Sequence, residues 1–116
     1  MSVKEFIHVV QSRPLMYVEE IRMDYIYYLV IGYLGSNLVN KRDYSVDLEF
    51  KRHFDNWLIE WVRKNVDKNY EYHGFIWYKI LIDVTKSERE AVELFFSLSE
   101  KFFSEINVNN SNFALE

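Results

Sequence analysis

Cysteine is absent from this chain of 116 residues, which also has only three glycines and a single proline. The lack of cysteine excludes disulfides, thiol catalysis and cysteine-based zinc sites. Tight hairpins and many-stranded sandwiches need turn residues at frequent intervals, so the scarcity of glycine and proline favours helices. The length suits one domain, and a domain of this size buries enough surface to be stable without a metal or disulfides.

Long apolar runs are also missing. The longest run, Tyr25 to Leu34, is about half as long as a helix that crosses a bilayer. The segment Val3 to Val10 contains charged residues and lacks a small-residue cleavage site, so we expect no signal peptide. These features together predict a protein without a membrane segment.

Helical spacing of apolar residues organises most of the chain. The first helix presents a face of Val3, Phe6, Ile7 and Val10 and is ended by Pro14. A second helix is predicted from Glu19 or Glu20 to about Val39. One of its faces comprises Ile21, Tyr25, Tyr28, Leu29, Gly32 and Tyr33, and Ile26, Val30 and Leu34 lie beside that face. The charged residues 41–43 then mark a loop.

A third helix has a regular apolar face and a solvated face of mixed charge. Ser45 or Asp47 caps it, and Asp47 suits the positive end of the helix dipole. The apolar face comprises Phe50, Phe54, Trp57, Leu58 and Trp61.

The segment 75–84 is ambiguous, because its β-branched residues suit a short strand as well as a buried helix. We favour a helix, since one strand would have no partner. The last helix carries two overlapping capping boxes, Thr85 with Glu88 and Ser87 with Glu90. The predicted fold is therefore all-α, a single compact bundle of about five helices.

The domain is expected to span residues 1–106. Residues 107–116 are rich in asparagine and are predicted to form a disordered tail. Leu115 and Glu116 resemble residues added by cloning and carry no functional argument.

No pattern in the sequence points to catalysis, a cofactor or a metal. His8, His53 and His73 are the obvious candidates for a general base, but none lies in a recognisable motif, and we interpret them as structural or surface residues. Phosphate-binding loops, paired metal-ligating histidines and calcium loops are absent from the sequence. The net charge of −4, with acids interrupting every basic cluster, argues against nucleic-acid binding.

Acidic residues and tyrosines provide candidates for contact with a protein partner. Glu19, Glu20 and Asp24 are predicted to form an acidic patch at a helix start, where capping is the alternative role. Glu90 and Glu93 belong to a last helix whose acids outnumber its bases, which would suit a basic partner.

Aromatic residues make up 18% of the chain, more than the periodic core positions require, so some are expected to be exposed. Tyr70 and Tyr72 are the best candidates because they fall in a polar segment predicted to be a loop.

At Arg13, Pro14, Met16 and Tyr17 the sequence resembles a known family. An Arg-Pro-Gly-Met-Tyr-Leu-type motif after a short first helix is found in a small all-helical family of bacterial immunity proteins from polymorphic and contact-dependent toxin systems. Here Leu15 stands in the place of the glycine. Later landmarks resemble the family in the same order: Gly32, Trp57, Trp77 and Phe95.

The resemblance implies a protein that binds a cognate toxin in the cytoplasm of the producing cell and blocks it without chemistry of its own. The motif residues are interpreted as architectural. Pro14 would stop a helix, Met16 and Tyr17 would pack, and Arg13 would bind helix C-terminal carbonyls. Many such toxins are nucleases with basic clefts, which an acidic face would fit.

Two other functions stay open at this point. A self-associating adaptor would bury the surplus aromatics in a homodimer. A small enzyme or ligand-binding bundle would line a pocket with tyrosine and tryptophan, although the sequence offers no convergent polar groups for it.

Overall fold

The computed structural model describes the backbone of residues 1–40 and 45–114, and the side chains as far as residue 106 except for 41–44. Within these ranges the chain forms five α-helices, a 3₁₀ turn and no strand. The predicted loop at 41–43 and the residues Leu115 and Glu116 lie outside the described residues. The elements are α1 Val3–Ser12, the turn Pro14–Met16, α2 Met23–Val39, α3 Ser45–Asn65, α4 Tyr78–Asp83 and α5 Glu88–Ala114.

The all-α prediction is confirmed, and the ambiguous segment contains α4. This helix is shorter than the segment because residues 75–77 precede it as irregular chain. Helix α5 continues past Ile106, where we expected it to end, as far as Ala114. Asparagine and serine lower helix propensity only slightly, and this stretch contains no proline to stop the helix.

Helix α1 begins with a capping box. The Ser2 hydroxyl accepts a hydrogen bond from the Glu5 amide at 3.2 Å, and the Glu5 carboxylate accepts one from the Ser2 amide at 3.3 Å. The predicted face of α1, comprising Val3, Phe6, Ile7 and Val10, is confirmed, since all four side chains are buried.

A buried carboxylate fixes the start of α1 to two other helices. Asp47, which is fully buried, accepts hydrogen bonds from the Val3 amide and from the Asn37 side-chain amide, both at 2.9 Å. The same Asn37 nitrogen donates to the Met1 carbonyl at 3.0 Å, and the Tyr33 hydroxyl donates to that carbonyl at 2.5 Å. Asp47 therefore joins α3, α2 and α1, a role that its place in the first turn of α3 did not indicate.

The apolar pattern predicted for α2 is confirmed at Ile26, Val30 and Leu34, which are buried, and is wrong for part of the neighbouring face. The buried residues are Met23, Ile26, Tyr27, Val30, Leu34 and Asn37. Tyr28 and Gly32, which we expected to pack, are exposed instead. Helix α2 also begins at Met23, later than expected, because Glu19 and Glu20 belong to the connection before it.

Helix α5 contacts each of the other four helices and carries four of the nine buried aromatic side chains of the described residues. Phe95 stacks on Trp77 with ring centroids 5.3 Å apart, and Phe54 meets the edges of both rings. Phe102 packs edge-on against Phe50 and Phe54. Aromatic side chains thus fill the space that α3, α4 and α5 enclose.

One of the two predicted capping boxes of α5 is partly confirmed and the other is wrong. The Ser87 hydroxyl accepts from the Glu90 amide at 3.1 Å, while the Glu90 carboxylate accepts from Lys86 rather than Ser87. Thr85 donates to the Leu81 carbonyl, and the Glu88 carboxylate accepts from the Met23 amide at 2.7 Å. Glu88 therefore caps α2 instead of its own helix.

Among the described helices, none combines the length and the apolar character that crossing a membrane requires.

Candidate partner-binding surface

The motif residues form a tight turn directly after α1. Pro14 occupies the first position of the 3₁₀ turn, where its fixed backbone angle is favourable and its missing amide is not needed. The amides of Tyr17 and Val18 both donate to the Pro14 carbonyl, at 2.9 and 3.0 Å. This places Pro14 and Val18 at half-buried positions and turns the residues between them outward.

Leu15 and Met16 are consequently exposed, by 65% and 69% of their surfaces. The expectation that Met16 packs is wrong, because a turn closed by Pro14 cannot direct three successive side chains inward. Tyr17 is only partly packed, with its ring edge-on to Phe6 at 6.1 Å and 41% exposed. The turn therefore offers apolar side chains to solvent.

Arg13 does not serve the carbonyls of α1 as predicted. Its side chain is exposed, and one guanidinium nitrogen lies 3.9 Å from the Met16 sulfur. It lines a cavity of about 470 Å³ beside the turn. We call this the turn cavity, defined by Arg13, Pro14, Leu15, Met16, Ile21 and Arg89.

A groove between α1 and α5 continues from the turn cavity. Its first part, of about 440 Å³, shares Pro14, Ile21 and Arg89 with the turn cavity. Its second part, of about 490 Å³, reaches the start of α1. Phe96 and Glu100 line both parts, one as floor and one as charged rim. The α1–α5 groove is thus continuous with the motif turn.

Glu19, Glu20 and Asp24 do not form one patch of free carboxylates at a helix start. Glu19 and Glu20 are exposed in the connection before α2. Asp24 makes a two-pronged ion pair with the Arg22 guanidinium, with the shorter contact at 2.9 Å. This pairing raises the pKa of Arg22 and neutralises the charge of Asp24 locally.

Glu90 and Glu93 are both exposed, as a binding role requires. Glu90 is held by the Lys86 amide at 2.9 Å. Glu93 has no hydrogen bond or ion pair in the part of the chain that the structure describes. It lines the α1–α5 groove on one side of α5 and, with Trp61 and Leu94, a shallow cavity of about 470 Å³ on the other.

The expectation that Tyr70 and Tyr72 are exposed is wrong. Both pack against the core, and their hydroxyls donate to Asp83 and to the Ile76 carbonyl, each at 2.8 Å. Burial, followed by the hydrogen bond to Asp83, raises the pKa of the Tyr70 hydroxyl. These tyrosines hold the segment between α3 and α4 in place, and the exposed aromatic there is Phe75, at 95%.

The other residues that carry the resemblance differ in how deeply they are buried. Trp77 and Phe95 are buried in the aromatic core. Trp57 is half-buried, and its indole nitrogen donates to Glu105 at 2.6 Å. Gly32 is exposed on α2, and a side chain at this position would meet no atom within 4 Å, so packing does not require a glycine there.

The three histidines are exposed. His53 lies 3.8 Å from Glu49 and His73 lies 3.4 Å from Glu71, while His8 lines the α1–α5 groove. In residues 1–40 and 45–106, no three His, Asp or Glu side chains are grouped as metal ligands.

Comparisons with protein-family models, with curated proteins and with solved structures gave no match.

Proposed function

We propose that this chain is a non-catalytic immunity protein, which binds a cognate bacterial toxin domain in the cytoplasm and neutralises it by protein–protein contact. The observation that carries the proposal is the exposure of Leu15 and Met16 within the motif on which the family resemblance depends. Exposed apolar side chains that adjoin a groove are typical of protein-binding surfaces.

The motif turn has properties that suit recognition of a folded partner. It is anchored by backbone hydrogen bonds to Pro14, so binding need not order it. Leucine and methionine provide apolar contact, and the flexible methionine adapts to an irregular surface. The adjoining α1–α5 groove offers further area with an apolar floor at Phe96.

Acidic residues beside the groove favour a partner whose facing surface is basic. Glu93 and Glu100 line its rim, and both are exposed. Charges at the rim of an interface steer association and contribute more to its rate than to its final affinity. The acidic rim on this side of α5 would therefore raise the association rate of a nuclease toxin that has a basic cleft.

Co-expression with the products of neighbouring genes tests the proposal. We expect one product to be lethal alone, to be tolerated with this chain and to co-purify with it in a fixed ratio. The double variant Leu15→Ser, Met16→Ser should lose this protection while it remains folded.

The matched control is the double variant Val39→Ser, Phe75→Ser, which removes two apolar side chains that are 80% and 95% exposed on other surfaces. It should protect as well as the wild type. Equal protection by both double variants, or no toxic neighbour at all, would contradict the proposal.

Self-association is the second candidate, favoured by an exposed stripe on α2. Tyr28, Gly32, Gly35, Ser36 and Val39 are all exposed, and Tyr28 is supported by ring contact with Tyr78 at 6.3 Å. Side chains added at Gly32 or Gly35 would meet open space. Sedimentation equilibrium should therefore show a dimer that Gly35→Lys dissociates, if this candidate is right.

A further inference from the structure

We propose that the turn cavity binds an acidic segment of the partner protein, whose carboxylates pair with Arg13 and Arg89 while its apolar side chains cover Leu15 and Met16. The inference rests on the proposed function only in taking the occupant to be a protein. It adds the chemistry of the segment and its orientation on the surface.

The first argument is charge. Arg13 and Arg89 both line the turn cavity and are exposed, and neither forms an ion pair with the residues that the structure describes. Two other arginines are already satisfied, since Arg22 pairs with Asp24 at 2.9 Å and Arg63 with Glu60 at 3.0 Å. The turn cavity therefore presents two unpaired guanidinium groups on an apolar wall.

Guanidinium groups in this setting select carboxylates. The group is planar, weakly hydrated and able to donate two parallel hydrogen bonds to one carboxylate. No acidic side chain lines the turn cavity, so the ligand must supply the negative charge.

The second argument is the apolar surface, which favours a chain segment over a small anion as the natural occupant. Leu15 and Met16 project from the turn with about two thirds of their surfaces exposed. A free anion held by the two arginines would leave both side chains in water. A chain segment with apolar residues next to its carboxylates covers them and gains their burial.

The third argument gives the segment a direction. Where the α1–α5 groove leaves the turn cavity, its rim changes from Arg89 to Glu93 and Glu100. A segment that is acidic along its whole length would be repelled there. The carboxylates therefore belong at the end of the segment nearest the turn, and neutral or basic residues follow along the groove.

Fluorescence anisotropy with three labelled peptides tests this inference on the complete chain. The peptides share the same leucine and phenylalanine positions. The first peptide has glutamates at one end only. The second has lysines in place of these glutamates. The third has glutamates along its whole length, between the shared apolar residues. We expect the first peptide to bind at least about tenfold more tightly than the second, and more tightly than the third.

Matched variants connect the binding to the cavity. Arg13→Gln, Arg89→Gln should weaken the first peptide about tenfold or more. Arg52→Gln, Lys64→Gln makes the same charge change on the exposed face of α3 and should leave it unchanged. Thermal unfolding by circular dichroism is expected to be the same for both double variants, since all four residues are exposed.

Three outcomes would overturn the inference: equal binding of the glutamate and lysine peptides, unchanged binding by Arg13→Gln, Arg89→Gln, or equal binding when the apolar peptide residues are replaced by serine. In the last case inorganic phosphate should compete as well as a peptide does, which identifies a simple anion site.

The protection assay separates this inference from the proposed function. A toxin that is neutralised equally well by wild type and by Arg13→Gln, Arg89→Gln overturns the inference and leaves the immunity function intact. Selective binding of the first peptide without any toxic neighbour supports the turn cavity as an acidic-segment site and contradicts the immunity function.

Discussion

The two ends of α1 are built in opposite ways. At the N-terminal end a charged side chain is buried, since Asp47 lies wholly inside and binds the Val3 amide at 2.9 Å. At the C-terminal end apolar side chains are exposed, since Leu15 and Met16 project from the turn that follows the helix. Both ends reverse the usual distribution of polar and apolar groups between surface and interior.

The buried carboxylate and the exposed apolar side chains have different structural consequences. A buried carboxylate destabilises a fold unless it is fully hydrogen-bonded, and Asp47 binds donors from α1 and α2, so it positions three helices at once. Exposed leucine and methionine contribute little to folding, so Leu15 and Met16 are available to a partner. Under the proposed function, stability is concentrated at one end of α1 and recognition at the other.

The largest effect on stability should come from a substitution of Asp47, at the N-terminal end of α1. Asp47→Ala removes the acceptor for the Val3 amide and the Asn37 side chain, both in a buried site. We expect the free energy of unfolding to fall by about 3 kcal/mol, measured by urea denaturation, because hydrogen bonds to charged groups are strong and the orphaned donors stay buried.

Asp55→Ala on the same helix is the control, since Asp55 accepts only from the neighbouring Asn56 amide at an exposed site. It should cost less than about 0.5 kcal/mol. Similar denaturation midpoints for the two variants would remove the contrast between the ends of α1.

An intermediate effect is expected at Glu88, whose neighbour in sequence, Arg89, lines the turn cavity. Its carboxylate caps the Met23 amide at 2.7 Å and so joins the starts of α5 and α2. Glu88→Ala should lower the free energy of unfolding by about 1 kcal/mol, as the loss of a helix cap does. Glu93→Ala, which removes an unpaired carboxylate from the same helix, should change it by less than about 0.5 kcal/mol. A reversed order of these two variants would contradict the capping role.

The smallest effect on stability should come from the exposed turn that follows the C-terminal end of α1. Leu15→Ser, Met16→Ser is expected to change the free energy of unfolding by less than about 0.5 kcal/mol, because both side chains are already in water. A loss above about 1 kcal/mol would mean that the turn supports the fold. Any loss of toxin protection by this double variant would then be explained by its lower stability.

The buried face of α1 could be predicted from the sequence, whereas the buried face of α2 could be predicted only in part. In α1, buried Phe6 and Ile7 alternate with exposed Lys4 and His8, so spacing defines one face. Helix α2 has apolar residues on all sides, and which of them are buried depends on where the other helices lie. That is why Tyr28 was assigned to the core although it is exposed.

The candidate site was not located from the sequence, which gave the motif residues an architectural role and placed the partner contacts elsewhere. The sequence identified the turn at Pro14, whereas the outward direction of Met16 follows from the hydrogen bonds that close that turn. Contacts between distant residues, such as Asp47 with Val3, leave no spacing pattern along the chain. Tyr70 likewise depends on Asp83, a partner that only the folded chain brings near.

The central position of α5 has a consequence for synthesis in the cell. Ribosomes make chains from the N-terminus, so the helix that contacts all four others is the last of the five to emerge. Until then the aromatic face of α3, with Phe50 and Phe54, has no α5 to cover it. In a nascent chain the aromatic core therefore stays incomplete until α5 has emerged, and the fold closes only at the end of synthesis.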